Sequence, residues 1–126
     1  MKSILVVDDS SDMRELIKTI LEIEGYSVSV ACSGREGLDA VGLSPSPDLI
    51  LLDFQLGDMD ATEFVGQLRL KNSKHGALPK IVLMTGEANP PIENFDGFIR
   101  KMSDIKIFLK KIDAFFDDSG TASNAR

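Results

Sequence analysis

The chain has little of what several functional classes need. Cys32 is the only cysteine among 126 residues, which excludes an internal disulfide and fits a reducing compartment. As a lone thiol it reads as a small core residue. His75 is the only histidine and has no cysteine beside it, so it reads as a solvated loop residue, not a ligand or base. No apolar run approaches the roughly 20 residues of a membrane span. Met1-Lys2-Ser3 leads straight into an apolar strand, so no signal peptide is expected. A cytoplasmic protein with no membrane contact is expected. Basic residues are outnumbered, 14 against 20 acids, for a net charge of −6, which argues against nucleic acid as a partner. No Walker-type glycine-rich loop is present, which argues against nucleotide binding. No repeat, linker or second domain breaks the chain, whose length suits one ordinary domain.

What is present is organised around one stretch. Leu49-Ile50-Leu51-Leu52 runs directly into Asp53. A continuous apolar run of this length reads as a strand buried on both faces, as in a parallel sheet. A second strand of the same design, Ile4-Leu5-Val6-Val7, ends in Asp8-Asp9. Two buried strands therefore deliver three carboxylates to one edge.

Taken in order, the first strand is followed by a helix capped by Ser10 or Ser11. Met13, Leu16, Ile17, Ile20 and Leu21 lie at helical spacing, and Gly25 stops the helix. Val28 and Val30 alternate with serines, as in a strand near a sheet edge. Ser33-Gly34-Arg35-Glu36 has capping-box form and opens a short helix to about Val41. After Asp53 a turn-rich loop, residues 55–60, leads to a helix from about Ala61 to Leu70 that presents Phe64, Val65 and Leu68. Ile81-Val82-Leu83-Met84 is a further buried strand ending in Thr85, and Gly97-Phe98-Ile99-Arg100 is a short last one ending in Lys101. Ser103 is placed to cap a final helix with Ile105, Leu109, Ile112 and Phe116 along its core face. Residues 118–126 form a disordered polar tail beyond a domain spanning 2–117.

This alternation builds an α/β fold, a doubly wound five-stranded parallel sheet of flavodoxin-like order 2-1-3-4-5. Right-handed crossovers place a crevice at the tips of the first and third strands, so Asp8, Asp9 and Asp53 should converge. The fourth crossover is unusual. Residues 86–96 must hold a helix and both its connections, and Pro90 and Pro91 sit in the middle. The fourth helix is expected to be absent or about one turn.

Three carboxylates close together repel; at an effective dielectric of about 20, a like-charge pair at about 4 Å costs on the order of 4 kcal/mol. A proton or a cation must relieve this. All-oxygen ligation with few protein ligands suits Mg²⁺, which keeps waters and takes phosphate oxygens. Lys101 and Thr85 end neighbouring strands and can hold two phosphoryl oxygens. A carboxylate can itself be the nucleophile, forming an aspartyl phosphate, and Asp53, alone on the central strand, is the best placed.

Asp8-Asp9 after the first strand, Leu51-Leu52-Asp53 on the third, Thr85 after the fourth and Lys101 after the fifth resemble the receiver domain of two-component response regulators. The resemblance covers about residues 2–117. It implies that Asp53 accepts a phosphoryl group from a histidine kinase or histidine phosphotransfer protein. It implies that Asp8, Asp9, Asp53 and the backbone carbonyl of Gln55 surround Mg²⁺. Thr85 and Phe98 would then be switch residues biasing an unknown downstream protein's binding surface, and Gln55 and Glu87 would tune dephosphorylation. Met102 follows Lys101 where the family usually has proline, so a trans peptide and a shifted Lys101 are expected. Gly57 and Ala61 stand where the family usually has proline and glycine. With so little fourth helix, the protein is expected to be a monomer or a weak dimer through another surface, such as the first or last helix.

Two alternatives remain open to the residues. One is a receiver-like adaptor that works without phosphorylation, which Met102 and the short crossover favour and the intact acids oppose. The other is a Mg²⁺ phosphohydrolase with Asp53 as nucleophile. That enzyme needs a general acid and a substrate cap, but position 55 is Gln and no stretch is left for a cap. The favoured reading is not a turnover enzyme: it accepts and slowly hydrolyses its own aspartyl phosphate.

Overall fold

Leu49–Asp53 forms the middle strand of a five-stranded parallel sheet, and all five of its residues are buried. Apolar side chains on both faces of one strand need a layer of helices on each side, and the rest of the chain supplies them. In this computed structural model the order is β1 (Ser3–Val7), α1 (Ser11–Ile23), β2 (Ser27–Ala31), α2 (Gly34–Val41), β3 (Leu49–Asp53), α3 (Ala61–Asn72), β4 (Lys80–Thr85), β5 (Gly97–Arg100) and α4 (Ile105–Phe116). The structure describes residues 2–42, 46–72, 79–85, 95–100 and 104–116. The strands run in the order β2-β1-β3-β4-β5 with every neighbouring pair parallel, as expected from the alternation.

Successive side chains along a strand point to opposite faces, and the core divides accordingly. Leu5, Val7, Ile50, Leu52, Ile81 and Leu83 pack with Leu38 and Val41 of α2 and with Phe64, Val65 and Leu68 of α3. Ile4, Val6, Leu49, Leu51, Val82 and Met84 pack with Ile17 and Leu21 of α1 and with Phe108 and Ile112 of α4. Asp48 pins the starts of three strands. Its carboxylate accepts from the Ser3 N–H at 2.9 Å, its N–H donates to the Ser3 carbonyl at 3.0 Å, and its carbonyl accepts from the Lys80 N–H at 3.1 Å.

The helix ends follow their local chemistry. Ser10 is the cap of α1, its Oγ accepting from the Met13 N–H. Gly25, at φ +99°, ends that helix in a Schellman arrangement: the Gly25 N–H bonds the Glu22 carbonyl and the Tyr26 N–H the Leu21 carbonyl. Ser33 caps α2 through the Glu36 N–H, but the Glu36 carboxylate reaches one residue further back than a capping box requires, to the Cys32 N–H at 2.7 Å. Tyr26 stacks on Phe116 and donates to the Asp113 carboxylate, tying α4 to the start of β2. Burial and Asp113 together raise its pKa.

Several expectations need correction. Cys32 is exposed rather than a core residue, because it lies just past β2, outside both helical layers. Leu16 is 47% exposed and Val30 39%, since β2 is an edge strand and α1 buries Ile17, Ile20 and Leu21 instead. On α4 the core positions are Phe108 and Ile112; Ile105 is 49% exposed. Asp104 caps this helix: its Oδ1 accepts from the Lys106 and Ile107 N–H groups and its carbonyl from the Phe108 N–H. Among the described residues no helix stands between β4 and β5. Residues 86–94, on which the expectation of an absent or one-turn helix falls, lie outside the described residues, as do Ser103, His75 and the tail.

Phe64 is fully buried among α2, α3 and the sheet. Phe64→Ala is expected to lower the unfolding free energy by about 3–5 kcal/mol, read from urea denaturation. Leu70→Ala, at a position 80% exposed, should stay within about 0.5 kcal/mol.

Candidate functional site

The site begins with strand register. Ile4 pairs with Leu49 and Val7 with Leu52, so the next residue of each strand, Asp8 and Asp53, falls side by side. Parity carries the argument further. Asp8 is in step with Ile4 and Val6, and Asp53 with Leu49 and Leu51, so both belong to the face that α1 and α4 cover. Asp8 is fully buried, Asp53 is 6% exposed and Asp9 lies at the surface. One carboxylate oxygen from each lies within 4.8 Å of the other two. The convergence expected of Asp8, Asp9 and Asp53 is thus present.

Asp8 is held on almost every polar atom. Its N–H donates to the Ala31 carbonyl at 3.1 Å, continuing the ladder beyond Val7. Its carbonyl accepts from the Arg14 Nη1 at 2.7 Å, and its Oδ1 from the Ser10 N–H at 2.9 Å. Oδ2 is the exception: it is buried and makes no hydrogen bond. An orphaned buried acceptor costs about 1–3 kcal/mol, and more when charged. The neighbouring carboxylates are like charges that add to the cost. Three converging carboxylates, one of them with an orphaned oxygen, fit a divalent cation that prefers oxygen and retains open positions.

The loop after β3 closes the site on its other side. Leu56 turns into the core, and Gly57 takes φ +88°, a conformation costly for any residue with a side chain. Gln55 and Asp60 form an antiparallel bridge whose bonds are made by their neighbours, Ala61 N–H to the Phe54 carbonyl and Leu56 N–H to the Met59 carbonyl. The bridge itself therefore does not use the Gln55 carbonyl. Asp60 caps α3 through the Glu63 N–H at 2.9 Å. Asp58 accepts from the Gly34 and Arg35 N–H groups, which hold its carboxyl below the usual carboxylate range.

Of the other expected site residues, Thr85 ends β4 beside Met84, the register partner of Asp53; its side chain is outside the described part. Phe98 is half-buried, packed against the α2–α3 side of the core, with the Lys111 ammonium 6.0 Å from its ring centre. Lys101, Met102 and Glu87 lie outside the described residues. Arg14 and Asp58 are the structural participants that sequence reasoning did not single out. Arg14 could have been found from its position one turn after Asp9-Ser10. Asp58 offers no local signal, because its partners are 23 and 24 residues away.

A family model for the response regulator receiver domain matches residues 4–113. The chain belongs to this family. Curated relatives of the receiver domain include the response regulator MprA of Mycolicibacterium vanbaalenii, 42% identical over 64% of this chain and 33% of its own length. Another is the DNA-binding dual master transcriptional regulator RpaA of Synechocystis, 29% identical over 90% of this chain and 48% of its own. The chain thus spans a third to about half the length of these relatives. Similar solved structures include the chemotaxis protein CheY4 of Vibrio cholerae, 27% identical with TM-score 0.78, covering 90% of this chain and 97% of that one. The response regulator TrrA of Thermotoga maritima, solved in complex with Mg²⁺-BeF, is 31% identical with TM-score 0.76 over the same shares. Among the described residues no helix is long and apolar enough to cross a membrane.

Asp8→Asn puts an amide donor where the orphaned Oδ2 stands and removes one of the three charges. In divalent-free buffer it is expected to raise the unfolding free energy by about 1–3 kcal/mol, measured by urea denaturation. Unchanged or lower stability would show that the three carboxylates do not strain one another.

Proposed function

We propose that this receiver domain is a phosphorylation-controlled signalling module in which Asp53 accepts a phosphoryl group from a histidine kinase or histidine phosphotransfer protein. The observation that carries the reading is the rim itself: two buried acids in adjacent register, one with an oxygen that no protein donor satisfies. Asp8, Asp9, Asp53 and the Gln55 carbonyl are the proposed ligands of Mg²⁺. When bound, the ion would neutralise charge on the acids and on the incoming phosphoryl group.

The residues divide the work. Asp53 attacks phosphorus with a carboxylate oxygen; the phosphorus–nitrogen bond of the donor breaks, and the imidazole leaves with the electron pair and takes up a proton. Ser10 and Arg14 hold Asp8 so that its oxygen cannot turn away from the site. Lys101 and the Thr85 hydroxyl are proposed to grip phosphoryl oxygens. Thr85 and Phe98 would then shift a two-state equilibrium that a downstream protein reads. The half-buried setting of Phe98 supports such a role, since the ring is neither enclosed in the core nor fully exposed. Water finally hydrolyses the acyl phosphate, at a rate that Gln55 and Glu87 would tune. The net charge of −6 favours a protein over nucleic acid as the direct partner of this segment.

The test is direct. Incubation with Mg²⁺ and a small acyl phosphate donor should add the mass of one phosphoryl group, and Asp53→Asn should abolish the gain. Chelation of the ion should slow the reaction strongly while leaving the fold intact by circular dichroism. No gain, either with the small donor or with a cognate kinase, would favour the adaptor that works without phosphorylation.

A further inference from the structure

The loop that carries Gln55 is gripped from outside the site. Asp58, exposed at the loop tip, accepts from the Gly34 N–H through Oδ1 at 2.9 Å and from the Arg35 N–H through Oδ2 at 3.0 Å. Both donors belong to the first turn of α2, where the leading N–H groups have no partner within the helix. Helices usually satisfy these groups with a neighbouring side chain. Here Ser33 does so for the Glu36 N–H alone, and a carboxylate from across the loop completes the cap. Its charge also suits the positive end of the helix dipole.

A second contact reinforces the first. The Met59 side chain lies against Gly34, so close that a Cβ there would fall 2.5 Å from Met59 Cγ. A methyl group at residue 34 would have to displace the Met59 side chain. The remaining anchors are Leu56 in the core, Asp60 on α3, and the two backbone bonds of the bridge, Ala61 N–H to the Phe54 carbonyl and Leu56 N–H to the Met59 carbonyl. Between Leu56 and Asp58 the chain reverses at Gly57, whose missing Cβ would lie 3.8 Å from Asp9 Oδ2. The loop thus runs from Gln55 past Asp9 to α2, and Asp58 is where its tip is fastened to that helix.

We infer that the Asp58 clasp on α2 sets the position of the Gln55 carbonyl and the loop backbone facing Asp9. Asp58 is then a positioning residue for the cation site, acting through Gln55 and touching no ion. Coupling of this kind is reciprocal. A clasp that favours ion binding is itself tightened by the ion, so the α2 N-terminus responds to occupancy of the site. The inference rests on the proposed reading of the acids as a Mg²⁺ site.

The experiment uses the full chain and Mg²⁺ alone. Calorimetric titration of wild type, Asp58→Ala and Asp58→Asn gives the affinity. Amide hydrogen exchange at Gly34 and Arg35 gives the response of α2. Loss of the clasp in Asp58→Ala is expected to weaken Mg²⁺ binding about tenfold, with Asp58→Asn, which keeps one acceptor oxygen, in between. Mg²⁺ should slow exchange of both amides in wild type and leave them unchanged in Asp58→Ala. A purely structural cap would lower thermal stability and leave affinity unaltered, and that result overturns the inference while sparing the ion site. No Mg²⁺ uptake by wild type overturns the ion reading, and the clasp's role with it. Should Asp58→Ala fail to fold, the Asp58→Asn comparison decides alone.

Discussion

The constraint on which the structure depends is the register between β1 and β3. Both strands are apolar on both faces, so alternation of side chains does little to penalise a slip by one residue. Charge does it instead. Asp48 and Ser3 lock the entering ends of the strands, and Asp8 and Asp53 stand at the leaving ends. A slip would draw a carboxylate into a layer of Leu, Ile and Val, where an unpaired charge is strongly disfavoured. The residues that hold the sheet in phase are thus also the ones that build the rim. Placing Asp8 beside Asp53 brings two like charges together.

The site straddles the sheet. Its acids share parity with the residues that face α1 and α4, whereas Phe54, Leu56 and Met59 of the adjoining loop pack into the layer of α2 and α3. Under the proposed function, a change of charge at Asp53 would have two mechanical exits. One runs through Asp8, whose carbonyl and carboxylate are tied to Arg14 and Ser10 at the start of α1. The other runs through the loop, tied to α2 by Asp58 and to α3 by Asp60. A surface that reads the state of the site need not lie between β4 and β5.

Much of this was legible in the residues because it depends on local pattern. Strands with apolar runs, helices with a 3.6-residue stripe, the serine cap at Ser33 and the pair Ser10-Ser11, of which the structure selects Ser10, all announce themselves within a few positions. The order of the sheet and the meeting of Asp8, Asp9 and Asp53 followed from alternation and handedness. The failures share a cause. Whether Ile105 or Phe108 faces the core depends on how α4 is rotated against β5 and β1, which a stripe with apolar residues at 105, 107, 108, 109 and 112 leaves open. Cys32 and Leu16 turned outward because β2 is an edge strand with a thin covering. Asp58 was invisible because a cap supplied from 24 residues away has no spacing to detect.

The loop shows how a departure in sequence can be absorbed. A proline at position 57 would have fixed φ near −65°, whereas Gly57 adopts +88°. The chain reverses at Gly57, and beyond it Asp58 and Met59 lie on the first turn of α2. Glycine raises the entropy lost on ordering the loop, and the clasp offsets that loss with two charge-assisted hydrogen bonds. The flexible residue and the distant carboxylate are therefore one solution to one problem. A rigid turn beside Asp9 can be made by a ring in the backbone, or by a soft turn fastened at its far end.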